Sequence, residues 1–158
     1  RRGEQPRRLP PVQIRLDFLI LGVAPDPEVA GAYLPVDYIA EDALRVEAYR
    51  RLASSVEPNE VERLAAEWND RFGAVPRPAQ LLLAYTRLRI AAAGAGLDYL
   101  EVKDGKLMRR RRDLWLKLGE RFPRVPPGDA LERLRWIEAH IETLPAQERG
   151  TGAGEQEG

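Results

Sequence analysis

The residues of this 158-residue chain with most chemistry to offer are carboxylates, arginines and one histidine. Glu67 and Asp70 stand three apart in Glu67-Trp68-Asn69-Asp70-Arg71-Phe72-Gly73, near the end of a helical stretch. At 100° per residue this spacing puts both acids on one solvated face, opposite Trp68 and Phe72. A helix is negative at its C-terminal end, so each carboxylate there costs about 0.3–1 kcal/mol unless something offsets it. Arg63 and Arg71, four residues to either side of Glu67, are one source of relief. Arginines on another domain, paired bidentately with the two acids, are the other. Acid–base catalysis by the pair needs burial to lift a carboxyl toward neutrality, and an exposed i, i+3 pair lacks it.

The run Arg109-Arg110-Arg111-Arg112, with Trp115 and Lys117 just beyond, is the densest group of cations in the folded part. Such a run beside an aromatic could hold phosphates and stack a base, which makes a nucleic-acid-binding module the alternative reading. The plain reading is a strand whose alternate members face water. His140, the single histidine, lies in a helical stretch beside Ile141, away from any nucleophile of that helix, and reads as a surface or core-edge residue. One histidine and no cysteine exclude a disulfide framework, a thiolate nucleophile, and a thiolate or histidine-rich metal centre. The sequence has no G-x-x-x-x-G-K-[ST], no G-x-G-x-x-G after a strand and no H-E-x-x-H, so no cofactor is expected.

The elements that must carry these residues follow from composition and period. A hydrophobic content of 44% supports one core, and 25 basic against 25 acidic residues leave no global field to attract nucleic acid or an anionic membrane. No apolar run approaches a membrane span and no export signal is apparent, so a cytoplasmic protein is expected. Residues 1–11 read as a disordered linker, 12–144 as one domain and 145–158 as a disordered tail. Val12, Ile14 and Leu16 alternate as in a half-buried strand, extended or underpacked by Phe18 to Val23. A loop marked by Pro25, Pro27, Gly31 and Pro35 leads to a helix from about Asp42 to Ser55, with Glu41 or Asp42 placed to cap it. Val61, Leu64, Ala65, Trp68 and Phe72 form the stripe of a second helix stopped by Gly73. A third helix after Pro76 to Pro78 is apolar on several sides, which predicts the centre of the core. Tyr99 to Lys103 and Lys106 onward flank Asp104-Gly105, the signature of a type I′ hairpin. A further strand is expected at Leu114, Leu116 and Leu118, and a last helix over Asp129 to Leu144. The sum is an α+β fold: N-terminal strand, three-helix segment, small antiparallel sheet with a hairpin, C-terminal helix.

Leu34-Pro35-Val36-Asp37-Tyr38-Ile39, then Arg45, Tyr49-Arg50-Arg51-Leu52-Ala53-Ser54, then Asp70-Arg71-Phe72-Gly73 with Pro76 and Pro78, then Leu88-Arg89, form an ordered set. In order and spacing it resembles the C-terminal domain of the bacterial transcription-repair coupling factors, the Mfd family, from about Tyr33 to Leu97. Ala40, Glu41 and Ala43 stand where that family usually has a proline, an acidic residue and an asparagine. The loop Gly22 to Ala32 is longer, and an extra helix between the hairpin and the last strand is missing.

The resemblance implies a role without chemistry of its own. In that family the parent is an ATP-driven DNA translocase that removes stalled RNA polymerase and recruits the excision-repair protein UvrA. The resemblance implies that the C-terminal domain is an autoinhibitory clamp, packed on the UvrB-like N-terminal module, masking UvrA binding and restraining the motor. It further implies that Glu67 and Asp70 match the acidic positions facing arginines of that module, that Arg71 is an ion-pair partner and Phe72 a core residue. ATP and Mg are then expected only in the parent's motor domains, and DNA and polymerase contacts only through the parent.

Overall fold

The structure is a computed structural model that describes residues 7–142. The C-terminal tail, Leu144 and the first six residues of the expected linker lie outside the described residues. Within the linker, Arg7 Nη1 donates to Glu57 Oε1 at 2.9 Å and Leu9 packs against the core, so residues 7–11 run along the domain.

Ten elements follow one another: β1 (Gln13–Leu16), β2 (Leu19–Leu21), β3 (Ala30–Ala32), α1 (Asp42–Ala53), α2 (Pro58–Phe72), α3 (Arg77–Gly94), β4 (Tyr99–Lys103), β5 (Lys106–Arg111), β6 (Leu114–Trp115) and α4 (Ala130–Ala139). The class is α+β, as the periodicities predict. The sheet differs from the expected antiparallel one because β1 joins it. The order is β1-β4-β5-β6, with β1 parallel to β4 in the register Gln13↔Tyr99 to Leu16↔Val102. Parallel pairing needs a long crossover, and the three helices between β1 and β4 supply it.

Phe18 to Val23 does not extend β1, although Phe18 and Leu19 enter the core against which Ile14 and Leu16 pack. Leu19–Leu21 pairs in parallel with Ala30–Ala32 as a separate two-stranded sheet. The connection is so tight that a Cβ on Gly31 would stand 2.4 Å from the Gly22 carbonyl oxygen, which only glycine avoids.

The third helix is the centre of the core, as its apolar faces predict: Ala79, Leu88 and Ala92 are fully buried, and Leu81 to Ala84 nearly so. Leu100, Val102 and Leu107 of the sheet and Leu134 and Ile137 of α4 join the same cluster. In the hairpin, Asp104 and Gly105 take φ of 50° and 79°, the all-positive turn that Asp-Gly favours. A second two-residue turn, Arg112-Asp113, has φ of 50° and 65° and brings Leu114 opposite Arg111. The further strand is only Leu114–Trp115, because Leu116 leaves the ladder after bonding Arg109 O. Helix α4 stops at Ala139, with Asp129 and Glu132 forming a reciprocal cap at its start.

Candidate interdomain docking face

Helix α2 is set by its sequence at both ends. Pro58 at its first position and a Glu57/Glu60 capping box start it, and Gly73 ends it at φ 93°, ψ −171°, a conformation open to glycine rather than the left-handed helical one expected. Val61, Leu64 and Trp68 are buried, Ala65 and Phe72 half-buried, as the stripe requires. The segment before α1 pins the far end. Tyr38 Oη donates to Gly73 O at 2.9 Å, and its ring meets Phe72 edge-on at 5.8 Å. Leu34 and Ile39 anchor that segment in the core, while Leu34 N donates to Tyr49 Oη and Arg45 Nη1 to Ile39 O. Glu41 takes the N-cap position of α1 without a side-chain cap bond, and Asp42 pairs with Arg45 instead.

Glu67 and Asp70 share the solvent side of α2 but differ in their partners. Arg51 of α1 donates from Nη1 to Glu67 Oε2 at 2.6 Å, and Arg71 Nη1 lies 3.7 Å from the same oxygen. The Arg51 hydrogen bond holds the Glu67 carboxyl below the usual glutamate range. Arg63, the other expected partner, makes no such contact with Glu67. Asp70 is exposed and has no ion-pair partner among the described residues. Arg71 also lies over the Phe72 ring at 5.0 Å. The face therefore offers one carboxylate shared with internal arginines and one open to an external cation. Arg51 escaped the periodicity reading because it stands 16 residues from Glu67 on a neighbouring helix.

The arginine run does not form one patch. Strand alternation sends Arg109 inward, where it is 0% exposed and donates from Nη1 to Ile141 O at 2.8 Å. As an accessible nucleic-acid contact Arg109 is corrected to a core residue. Arg111 Nε donates to Ala95 O at the end of α3, and Arg112 occupies the turn with its N–H on Asp98. Arg110 points outward, ion-paired with Asp98 at 2.8 Å beside exposed Trp115. His140 ends α4, stacked on Trp136 at 4.2 Å with Nδ1 2.8 Å from the Trp136 carbonyl oxygen. Among the described residues there is no group of three or more metal-ligating side chains, and no helix is long and apolar enough to cross a membrane.

A family model described as the TRCF domain matches residues 30–113, just over half of the chain. The chain belongs to the TRCF domain family. The match holds the TRCF-domain residues Glu67, Asp70, Arg51 and the whole arginine run, and leaves Trp115 outside. Over 66 residues the chain is 50% identical to the transcription-repair-coupling factor of Mycobacterium tuberculosis strain CDC 1551, covering 42% of this chain and 5% of that protein. Against the factor of the same name from Escherichia coli K12 the identity is 43% over 68 residues, or 43% of this chain and 6% of that one. This TRCF domain thus spans about a twentieth of the length of the curated relatives it matches. It also resembles a solved crystal structure of the C-terminal domain of transcription-repair coupling factor, at TM-score 0.51 and 25% identity over 64% of this chain and 56% of that one.

Proposed function

We propose that this TRCF domain is a non-catalytic, autoinhibitory interaction domain of a cytoplasmic transcription-repair coupling factor. It docks through the α2 face on the UvrB-like N-terminal module of its own parent, masks the surface that recruits UvrA, and restrains the ATP-driven DNA translocase in transcription-coupled excision repair. ATP and Mg serve the parent's motor domains, and polymerase and DNA are reached through the parent. The observation that carries this reading is Asp70, a carboxylate without an ion-pair partner at the negative end of α2, beside Glu67. A carboxylate placed as Asp70 is stays frustrated in the isolated domain and is relieved by an arginine of a partner.

A clamp of this kind has to open. Charge pairs at a wet interface give orientation and specificity more than affinity, and they yield to a competing partner. UvrA binding and closure are then reciprocally coupled, typically by about 1–3 kcal/mol. The test is calorimetric titration of this domain into the separately produced N-terminal module of its parent. Saturable binding is expected, weakened tenfold or more by Glu67→Ala with Asp70→Ala while circular dichroism is unchanged. No binding at low salt and high concentration would overturn the reading.

A further inference from the structure

The sheet has two faces, and only one meets the helices. Leu100 and Val102 of β4 and Leu107 and Arg109 of β5 are buried, so the alternate residues Tyr99, Glu101 and Lys103, and Lys106, Met108 and Arg110, lie on the other face. Register sets Gln13 and Arg15 of β1 beside Tyr99 and Glu101, and Trp115 of β6 beside Arg110. None of these outward residues is buried.

Rings gather at one end of this face. Trp115 meets Tyr99 at 5.8 Å and Phe122 at 5.9 Å, both edge-to-face. The Arg110 guanidinium lies over Tyr99 at 5.1 Å and Trp115 at 5.5 Å, and Lys117 Nζ over Phe122 at 5.0 Å. Trp115 is held by these contacts yet remains 42% exposed.

Cations gather at the other end. Lys103 and Lys106 are directly opposed across the hairpin, a like-charge pairing that destabilises a sheet. Arg124 bridges to Lys106 through the backbone. Lys103, Lys106 and Arg124 have no ion-pair partner among the described residues. All three lysines of the chain, Lys103, Lys106 and Lys117, thus belong to the sheet or its flank, although arginines outnumber lysines 22 to three.

We propose that this outer sheet face binds single-stranded nucleic acid, with Trp115 and Tyr99 as stacking surfaces and Lys103, Lys106, Lys117 and Arg124 meeting phosphates. Unpaired bases stack on aromatic rings whatever their sequence, while cations follow the backbone. From Tyr99 to Lys103 the strand runs about 13 Å, room for a short stretch of nucleotides. The rings favour this occupant over an acidic peptide, which would engage the cations and leave Trp115 idle. The face lies on a different element from the α2 carboxylates, so this inference does not rest on the proposed clamp.

The test is fluorescence anisotropy of the 158-residue chain with labelled mixed-sequence ten-nucleotide DNA, the same sequence as RNA, and a ten-base-pair duplex. Saturable binding of one or both single strands, tighter than to duplex, is expected, with log Kd rising by about 2–3 per decade of salt for three or four phosphates. The two single-stranded arms decide which nucleic acid is preferred. Trp115→Ala should weaken binding at least tenfold. The double reversal Lys103→Glu with Lys106→Glu should do the same with an unchanged melting temperature, while Arg135→Glu on α4 leaves binding intact. The proposal is overturned by absence of saturable binding at low salt, by duplex binding as tight as single strand, or by Arg135→Glu costing as much as the double reversal. A silent Trp115→Ala would also overturn it and point to an acidic protein segment instead.

Discussion

At the scale of single residues, the same charge type meets opposite fates a few positions apart. Arg109 is enclosed while Arg112, three residues on, is exposed in a turn. Truncating a buried, hydrogen-bonded arginine opens a cavity and strands its partners, whereas an exposed one can be removed freely. Arg109→Ala is therefore expected to cost about 3 kcal/mol, and Arg112→Ala less than about 0.5 kcal/mol, in urea unfolding. Glu67 responds to pH. Its carboxyl is depressed by the Arg51 hydrogen bond, so the pair stabilises the fold above the unfolded glutamate value of about 4.3. That contribution is lost as pH falls through the lower folded value. Half-exposed pairs are weak, so Glu67→Gln should cost no more than about 1 kcal/mol at pH 7. The cost should shrink steadily as pH falls below the unfolded glutamate value and through the lower folded one, as urea titrations across that acid range would show.

At the scale of elements, the two hairpins carry opposite turn chemistry on similar geometry. Asp104-Gly105 suits positive φ, while Arg112-Asp113 takes the same signs with an arginine that resists them and an aspartate where the first turn has glycine. Replacing Arg112-Asp113 by Asn-Gly is expected to stabilise the protein by about 0.5–1 kcal/mol, read from the urea midpoint at constant slope. The first turn was legible in the sequence because Asp-Gly is a backbone signal. The second was not, since neither Arg nor Asp demands such a turn and β5–β6 pairing imposes it.

At the scale of the whole molecule, Arg87 of α3 ties the helices together. It forks onto Glu138 of α4 through Nε at 3.1 Å and Nη2 at 3.0 Å, and reaches Glu62 of α2 through Nη1 at 2.7 Å. Lysine has the charge without the planar fork. Arg87→Lys should cost about 1–2 kcal/mol and speed hydrogen exchange in α4 ahead of α3, whose buried contacts hold it to global unfolding.

Much of this architecture is local in origin. The stripe Val61, Leu64, Trp68, the proline and glycine at the ends of α2, the all-round apolar third helix and Asp104-Gly105 each act within a few residues, so one chain read in order reveals them. The shared solvent side of Glu67 and Asp70 was legible for the same reason, since 100° per residue sets it. Pairings between distant residues needed the tertiary structure. Arg51 meets Glu67, and β1 meets β4, only because helices fold back on one another and on the sheet. The run Arg109 to Arg112 reads as one basic patch along the chain, yet strand alternation and the packing of α3 and α4 decide which arginine is core, which ties a helix end and which faces outward beside Trp115.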